Sequence, residues 1–390
     1  MRARPGRAKS SSGAVARLAT IAAMNLPASL SAIVDRIRAA AAARQPLALR
    51  GGGSKAFCGD APQGEPLDLR GHAGIVAYEP SELVVTARGG TPLAELEAAL
   101  GAQGQCLPFE PPHFGAAEGR AATVGGMVAA GLCGPARASV GAVRDYVLGV
   151  HLVNGRGQVL EFGGQVMKNV AGYDVSRLMA GSQGTLAVLA QVSLKVMPVA
   201  PAEATLTLDI DQAGALGLLA HWSARPLPLN ASCWHDGRLH LRLRGARAAV
   251  QSAIATLAHE RGTRVEEGFD WTGLRDQRHP FFTPPSSPQA CLWRLSLPQT
   301  APALAPDVPT LVEWQGGLRW LWADEDQADA LREAARGVGG SASIFVAGRG
   351  GLLGTTSRFH PQSTAEMAIQ RRLKAEFDPS GIFNPGRMGF

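Results

Sequence analysis

The sequence predicts an α+β protein of two successive folded units, and three observations carry that prediction. Short strand-like runs and helical segments follow one another along the chain without the strict alternation of a parallel βαβ fold. Pro198 and Pro201 end a long apolar run, and the texture changes after them. Glycine is abundant, 47 of 390 residues with no triplet period, which excludes a collagen-like chain and predicts many tight turns and backbone-lined surfaces. With 46% hydrophobic and 18% charged residues a sizeable core is available, so neither a disordered chain nor a disulfide-stapled miniprotein fits.

Residues 28–43 place Leu30, Ile33, Val34 and Ile37 on one helical face, with Ser29 as a cap. LALR (47–50) reads as a strand leading into RGGGSK (50–55), and short strands follow near 66–69, 75–78 and 83–88. Thr91-Pro92 opens a helix through Leu100, a capping hydroxyl before a first-turn proline. VLGVHLV (147–153) and QVLEF (158–162) flank Asn154-Gly155, a hairpin pattern, and TLAVLAQVSLKV (185–196) is strand-like. From about 203, LTLDI, a helix over 212–222, a strand pair near 231–243, a helix near 246–260 and RVEE form one α+β half. Beyond the Pro-rich stretch 280–288, CLWRLSL (291–297), LVEWQGGLRWLW (311–322), a helix near 325–337 and SASIFV (341–346) repeat that order loosely. A small antiparallel sheet covered by helices accommodates both halves. A last helix near 364–376 stops at FDPSGIFNPGRM (377–388), too rich in Pro and Gly to continue it.

The formal charge of +6 sits in the N-terminal stretch: Arg2, Arg4, Arg7, Lys9 and Arg17 stand there without an acid, leaving 33 basic and 32 acidic residues elsewhere. Residues 1–25 are therefore expected to be a basic flexible tail, and the balanced body offers no basic face for nucleic acid. The tail's apolar stretch is broken by Arg17, unlike the clean core of a secretory signal, and Met24 opens the first foldable pattern. No uncharged apolar run reaches the roughly 18 residues of a membrane helix, so direct membrane insertion is not expected. Cys58, Cys106, Cys133, Cys233 and Cys291 are far apart and form no CxxC, so iron–sulfur and zinc spacings are missing and no metal is expected. Such isolated thiols suit small apolar positions in a reducing compartment.

RGGGSK matches G-x-G-x-x-A through Gly51, Gly53 and Ala56, but Gly59, Pro62, Gly64 and Pro66 prevent the helix that a Rossmann loop must open. Its spacing is not that of a P-loop either. Consecutive glycines still let backbone N–H groups converge on an anion, and Arg50 and Lys55 flank them. A glycine turn with solvated basic flanks is the plain alternative. Three further glycine segments, TVGGMVAAGLCG (123–134), GGQVMKNVAGYD (163–174) and GSQGTLAV (181–188), add small residues and the hydroxyls of Thr123, Ser182 and Thr185. A buried dinucleotide pyrophosphate left unpaired would cost several kcal/mol, and several loops donating N–H groups offset this.

The order RGGGSK, ARGGTPLAEL, PFEPPHF, TVGG, VRDYVLGVHLVNGRGQVLEFGGQVMKNVAGYDVSRLMAGSQGTLAVL and FDPSGIFNPGRM resembles the vanillyl-alcohol-oxidase class of FAD enzymes. Within it the chain is most similar to FAD-binding subunits of bacterial glycolate oxidases, over about residues 26–200, 290–322 and 371–388. The resemblance implies a PCMH-type FAD-binding fold: two α+β subdomains over 26–200, an antiparallel-sheet cap domain over 203–346, and a C-terminal segment, 347–390, returning to the flavin. It implies that Arg50, Gly51, Gly52, Gly53, Ser54 and Lys55 wrap the pyrophosphate, and that Thr123, Val124, Gly125 and Gly126 line the cofactor near the ring. Gly181, Ser182, Gly184 and Thr185 would follow diphosphate and ribose, Val188 the adenine side, and Asn384 the flavin side. Lys168 and Asn169 match the family motif.

Oxidising a 2-hydroxy acid on flavin needs a base, a cation for the carboxylate and a hydride acceptor. The nine histidines include no H-x-H, so the His-rich metal signature of the larger catalytic partners in such complexes is missing. His235 and His240 are separated by Gly237 in an expected hairpin and make a poor metal pair. His113 is a candidate base, and Arg294 and Arg319 are candidate carboxylate ligands. Each also fits a packing or surface role, and no catalytic residue is assigned. The resemblance implies an oxidoreductase subunit binding FAD non-covalently, handling electrons while glycolate becomes glyoxylate, beside a catalytic flavoprotein and an iron–sulfur subunit. It is expected to be cytoplasmic, meeting the inner face of a membrane only through those partners. A stand-alone FAD-dependent D-2-hydroxy acid (lactate-type) dehydrogenase and a scaffold that has lost FAD remain as alternatives.

Overall fold

A computed structural model describes residues 26–115, 119–164, 174–304, 307–352 and 356–389; the expected tail over 1–25 lies outside them. Helix α1 (Ala28–Ala43) buries Leu30, Ile33, Val34, Ile37 and Ala40 along one stripe, and ends on Arg44 in the left-handed region. The Ser29 hydroxyl does not cap it but bonds His72 Nδ1 at 2.9 Å. Next come β1 (Leu47–Arg50) and β2 (Glu65–Asp68), paired in parallel, then β3 (Ile75–Glu79) and β4 (Val84–Arg88). Helix α2 (Leu93–Gly101) starts at Pro92, also without the expected hydroxyl cap, because Thr91 Oγ1 donates to the Gly74 carbonyl at 3.1 Å. In both places a tertiary partner outcompetes the local cap.

After β5 (Gln105–Cys106), the glycine segment TVGG is helical: α3 (Val124–Ala130) is capped by Thr123, whose Oγ1 accepts from Gly126 N at 3.2 Å. The loop reading of this stretch is thereby corrected. Gly125 is held against Gly89, to whose carbonyl its N–H donates at 2.8 Å, so glycine here serves a close approach and not a turn. Short α4 (Arg137–Val140) and α5 (Val143–Tyr146) lead into β6 (Val147–Val153) and β7 (Val159–Gly163), the expected hairpin. Its connection spans 154–158, with the positive φ at Gly157; Gly155 instead packs on Asp378. Helix α6 (Val175–Leu178), β8 (Val188–Lys195) and β9 (Met197–Pro198) complete this part.

Strands β3-β4-β8-β6-β7 form one antiparallel sheet. Leu93, Leu96, Leu100 and Met127 of α2 and α3 pack on one face with Val85, Val150 and Val192. On the other, α1 and β1 pack with Val153, Val188 and Ala190.

The remainder builds a single eight-stranded sheet. Its first half is β10 (Ala202–Asp209), α7 (Gln212–Ser223), β11 (Leu229–His235), β12 (Arg238–Gly245), α8 (Arg247–Arg261) and β13 (Arg264–Glu266). After α9 (Trp271–Arg275), the second half is β14 (Ala290–Ser296), β15 (Thr310–Glu313), β16 (Leu318–Asp324), α10 (Ala328–Gly337) and β17 (Ser341–Val346). The order β13-β10-β12-β11-β15-β16-β14-β17 makes the halves mirror one another in connectivity, joined where β11 meets β15. The loose repeat in the sequence is this internal duplication.

Helix α11 (Thr364–Phe377) begins in a capping box between Ser363 and Glu366. The chain then returns alongside β1, Leu47 bridging Phe383 in parallel. Among the described residues no helix is long and apolar enough to cross a membrane.

Candidate functional site

The turn after β1 is shaped by contact with the segment entering α3. A Cβ on Gly51 would lie 2.3 Å from Thr123 Oγ1, and one on Gly52 would lie 1.5 Å from the Ala121 carbonyl oxygen. Gly53 has φ +77. Gly52 therefore lets two backbones touch, Gly51 makes room for the Thr123 hydroxyl, and all three line a cavity of about 390 Å³.

That cavity brings together Arg50 to Lys55, Thr123, Gly125, Gly126, Gly184, Val188 and Asn384 among the positions singled out in the sequence. Val124 lies behind it in the core, fully buried. Gly181 packs its Cα 2.9 Å from where a Cβ of Gly131 would be, and donates to the Val128 carbonyl at 3.0 Å. Ser182 and Thr185 are buried in the same turn, the Thr185 hydroxyl donating to the Ser182 carbonyl at 2.7 Å. These four sit outside the lining, and Gly181, Ser182 and Thr185 hold the turn from which Gln183 and Gly184 face the cavity. Lys168 and Asn169 lie outside the described residues.

Asn384 acts as a clamp. Its Oδ1 accepts from Leu49 N at 2.7 Å and its Nδ2 donates to the Gln183 carbonyl at 2.8 Å, so β1 and the 181–185 turn are tied across the C-terminal segment. Lys374 Nζ donates to the carbonyls of Thr185 and Phe383, both at 2.7 Å, and pairs with buried Asp378 at 2.6 Å. The sequence reading does not single out Gln183 or Arg387, although both lie inside motifs it quotes. Arg387, buried at the cavity edge, holds the RGGGSK turn through the carbonyls of Lys55 and Ala56, each at 3.1 Å. Burial lowers the Lys55 ammonium to about 8 and leaves it 5.7 Å from the Phe114 ring centroid.

The other candidates are engaged elsewhere. His113 Nε2 meets Glu97 at 2.7 Å while the His113 backbone N–H donates to Asp276 Oδ1 at 2.9 Å. Arg319 is buried with its guanidinium on the carbonyls of Gly316, Ala301 and Pro302. His235 packs on His279 and Phe281, and His240 bonds Glu266. Among the described residues no cluster of His, Cys, Asp and Glu is gathered to hold a metal ion.

A cavity of this size and lining, small side chains with three cations, Arg50, Lys55 and Arg387, fits a large planar ligand carrying phosphates. The fold has solved relatives: an alkyldihydroxyacetonephosphate synthase aligns over 90% of this chain and 74% of that chain with TM-score 0.63, at 15% identity. Residues 21–163 match the family described as FAD binding domain. The glycolate oxidase subunit GlcE of Escherichia coli (strain K12) is 44% identical over 357 residues, 92% of this chain and 96% of that protein. The chain belongs to the GlcE family. It is thus a PCMH-type, FAD-binding oxidoreductase subunit, one component of a larger assembly. More distant similarity, 34% over 154 residues, links it to a D-lactate dehydrogenase of Archaeoglobus fulgidus, covering 39% of this chain and 33% of that protein. The glycolate oxidase subunit GlcD of Bacillus subtilis (strain 168) is 30% identical over 165 residues, 42% of this chain and 34% of that protein.

Proposed function

We propose that this chain binds FAD non-covalently in the glycine-lined cavity and serves a complex that oxidises glycolate to glyoxylate. The observation that carries this is the coincidence of that cavity with near full-length similarity to a glycolate oxidase subunit. When bound, FAD would supply the acceptor for the hydride, with its two electrons, that leaves the substrate.

The chain's own residues position and enclose. Gly51 to Gly53 present backbone N–H groups, with Arg50 and Lys55 supplying positive charge to the diphosphate. Thr123, Gly125, Gly126 and the Gln183–Gly184 peptide would meet the central part of the cofactor, Val188 and Leu189 the apolar end. Asn384 and Arg387, themselves on the cavity wall, hold these segments in register. Residues 26–200 with 347–390 would form the cofactor-binding part and 203–346 a cap over the ring. No His, Cys or Tyr stands among the described residues lining the cavity, which favours non-covalent binding.

The sequence contains no CxxC, so electrons leaving the flavin need a carrier elsewhere. A catalytic flavoprotein and an iron–sulfur subunit are the partners that chemistry calls for. The complex would be cytoplasmic and reach a membrane only through its other subunits.

The visible spectrum of the purified chain tests the cofactor: flavin bands at about one FAD per chain are expected, and a chain that stays colourless with excess FAD overturns the assignment. Deleting the chain from the complex should abolish glycolate-dependent dye reduction and lower its flavin content. Glycolate turnover by the chain alone would favour a stand-alone dehydrogenase instead.

A further inference from the structure

Two guanidiniums stand over one indole where the eight-stranded sheet meets the first sheet's helices. Arg137 of α4 lies 4.4 Å and Arg294 of β14 lies 5.2 Å from the Trp314 ring centroid. Neither side chain makes a hydrogen bond or ion pair with any described residue. Desolvation, and then repulsion from Arg137, lowers the Arg294 guanidinium below its usual range. Both are half-buried at this seam, and two like charges held on one ring are unfavourable unless an anion joins them.

The acid closest to that role does not supply the anion. Glu313 is 5% exposed, accepts from Trp320 Nε1 at 2.8 Å, and forms no ion pair with Arg294. Burial pushes its carboxyl up to about 7, so near neutrality much of it is uncharged. A cleft of about 30 Å³ opens beside Arg294 and Glu313, walled by Phe114, Trp314, Trp320 and Phe345. Phe114 stands between this cleft and Lys55, which lines the large cavity.

We propose that this cleft binds the carboxylate of a two-carbon hydroxy acid, with Arg294 as its anchor. The proposal rests on the glycolate reading above and deepens it, placing substrate recognition in this chain. A planar guanidinium matches a carboxylate in fork geometry, and the aromatic walls exclude water that would compete for it. The cleft has about one water molecule's share of liquid volume, so it seats the carboxylate alone, and a chain longer than glycolate's meets the walls formed by Trp314, Trp320 and Phe345. Arg137, on the Trp314 ring, adds positive charge nearby without lining the cleft.

Trp314 and Trp320 provide a readout independent of turnover. The flavin-loaded chain is titrated with glycolate, 2-hydroxybutyrate, ethylene glycol and inorganic phosphate while tryptophan emission is followed. Glycolate should give a saturable change, 2-hydroxybutyrate should bind at least roughly tenfold more weakly, and ethylene glycol and phosphate should give none. Arg294→Gln should weaken glycolate roughly tenfold or more while FAD content, read at visible wavelengths, stays unchanged; Arg294→Lys should recover part of the loss. Equal binding of glycolate and 2-hydroxybutyrate, or no saturable response to glycolate, overturns the cleft even if Arg294→Gln fails to fold. A chain holding FAD but deaf to glycolate sinks this inference alone. One that responds to glycolate without retaining FAD sinks the cofactor reading instead.

Discussion

At the scale of single residues, the site depends on where a side chain is forbidden as much as on where one is present. Gly52 faces the Ala121 carbonyl so closely that an alanine Cβ would overlap backbone, which cannot move as a side-chain end can. Gly52→Ala should cost roughly 1–3 kcal/mol or more and strip FAD from the purified chain, measured by urea unfolding and by the flavin-to-protein absorbance ratio. Glu313 gives a pH signature. Its folded value of about 7 lies above the ordinary carboxyl value, so the native state holds the proton more tightly. The associated stability is present at low pH and is lost as pH rises between about 4.5 and 7, by up to about 3 kcal/mol. Groups facing it are Trp320, Arg294, Glu110 and Cys233. Relative to Glu313→Gln, the wild-type chain should lose stability across that window when urea midpoints are compared at pH 5, 6, 7 and 8.

At the scale of elements, the C-terminal helix and the segment after it hold the glycine-lined cavity together. Asp378 accepts from the N–H groups of Ile382 at 3.1 Å and Phe383 at 2.7 Å, which turns the chain so that Asn384 reaches β1. Asn384 sits at φ 42, a left-handed conformation that asparagine tolerates. Asn384→Ala leaves the Leu49 N–H and the Gln183 carbonyl without their partner and should cost on the order of 2 kcal/mol or more. FAD affinity should fall with it. Asn384→Gly keeps the backbone conformation but not the bonds, so a comparable loss in both variants would assign the effect to the amide; full recovery in the glycine variant would refute it. The hydroxyls of Ser29 and Thr91 show why element ends were the least legible part of the sequence. Each precedes a helix as a cap would, yet each bonds a residue from another part of the chain, His72 and Gly74.

At the scale of the whole molecule, the two sheets are joined by a buried ion network. Glu110, four residues after β5, accepts from Arg242 Nη2 at 2.7 Å and Arg244 Nη1 at 3.1 Å, both on β12, and from Ala136 N at 3.1 Å. Arg242 is 2% exposed, so removing its partner leaves a charge stranded away from water. Glu110→Ala should destabilise by roughly 3–5 kcal/mol and split a single calorimetric transition into two as the sheets unfold separately. A variant that still melts in one step at the wild-type temperature would show that apolar packing around Trp314 and Trp320 suffices to couple them.

Much of this protein is legible in its sequence because its signals are local or repetitive. Strand and helix positions follow from apolar periodicity, the duplicated sheet from the recurrence of its pattern, and the glycine loops that line the cavity from their grouping with Arg50, Lys55 and Thr123. What only the tertiary structure decided are contacts between segments far apart in the chain. It made TVGG a helix by laying Gly125 on Gly89, although glycine disfavours helices in isolation. It placed Thr185 and Ser182 behind the cavity wall and Gln183 on it. It left Arg294 without a carboxylate while Arg319, an arginine of the neighbouring strand, took backbone carbonyls. A strand pattern fixes which residues alternate across a sheet, but the charge balance around a buried side chain depends on which distant elements fold against it.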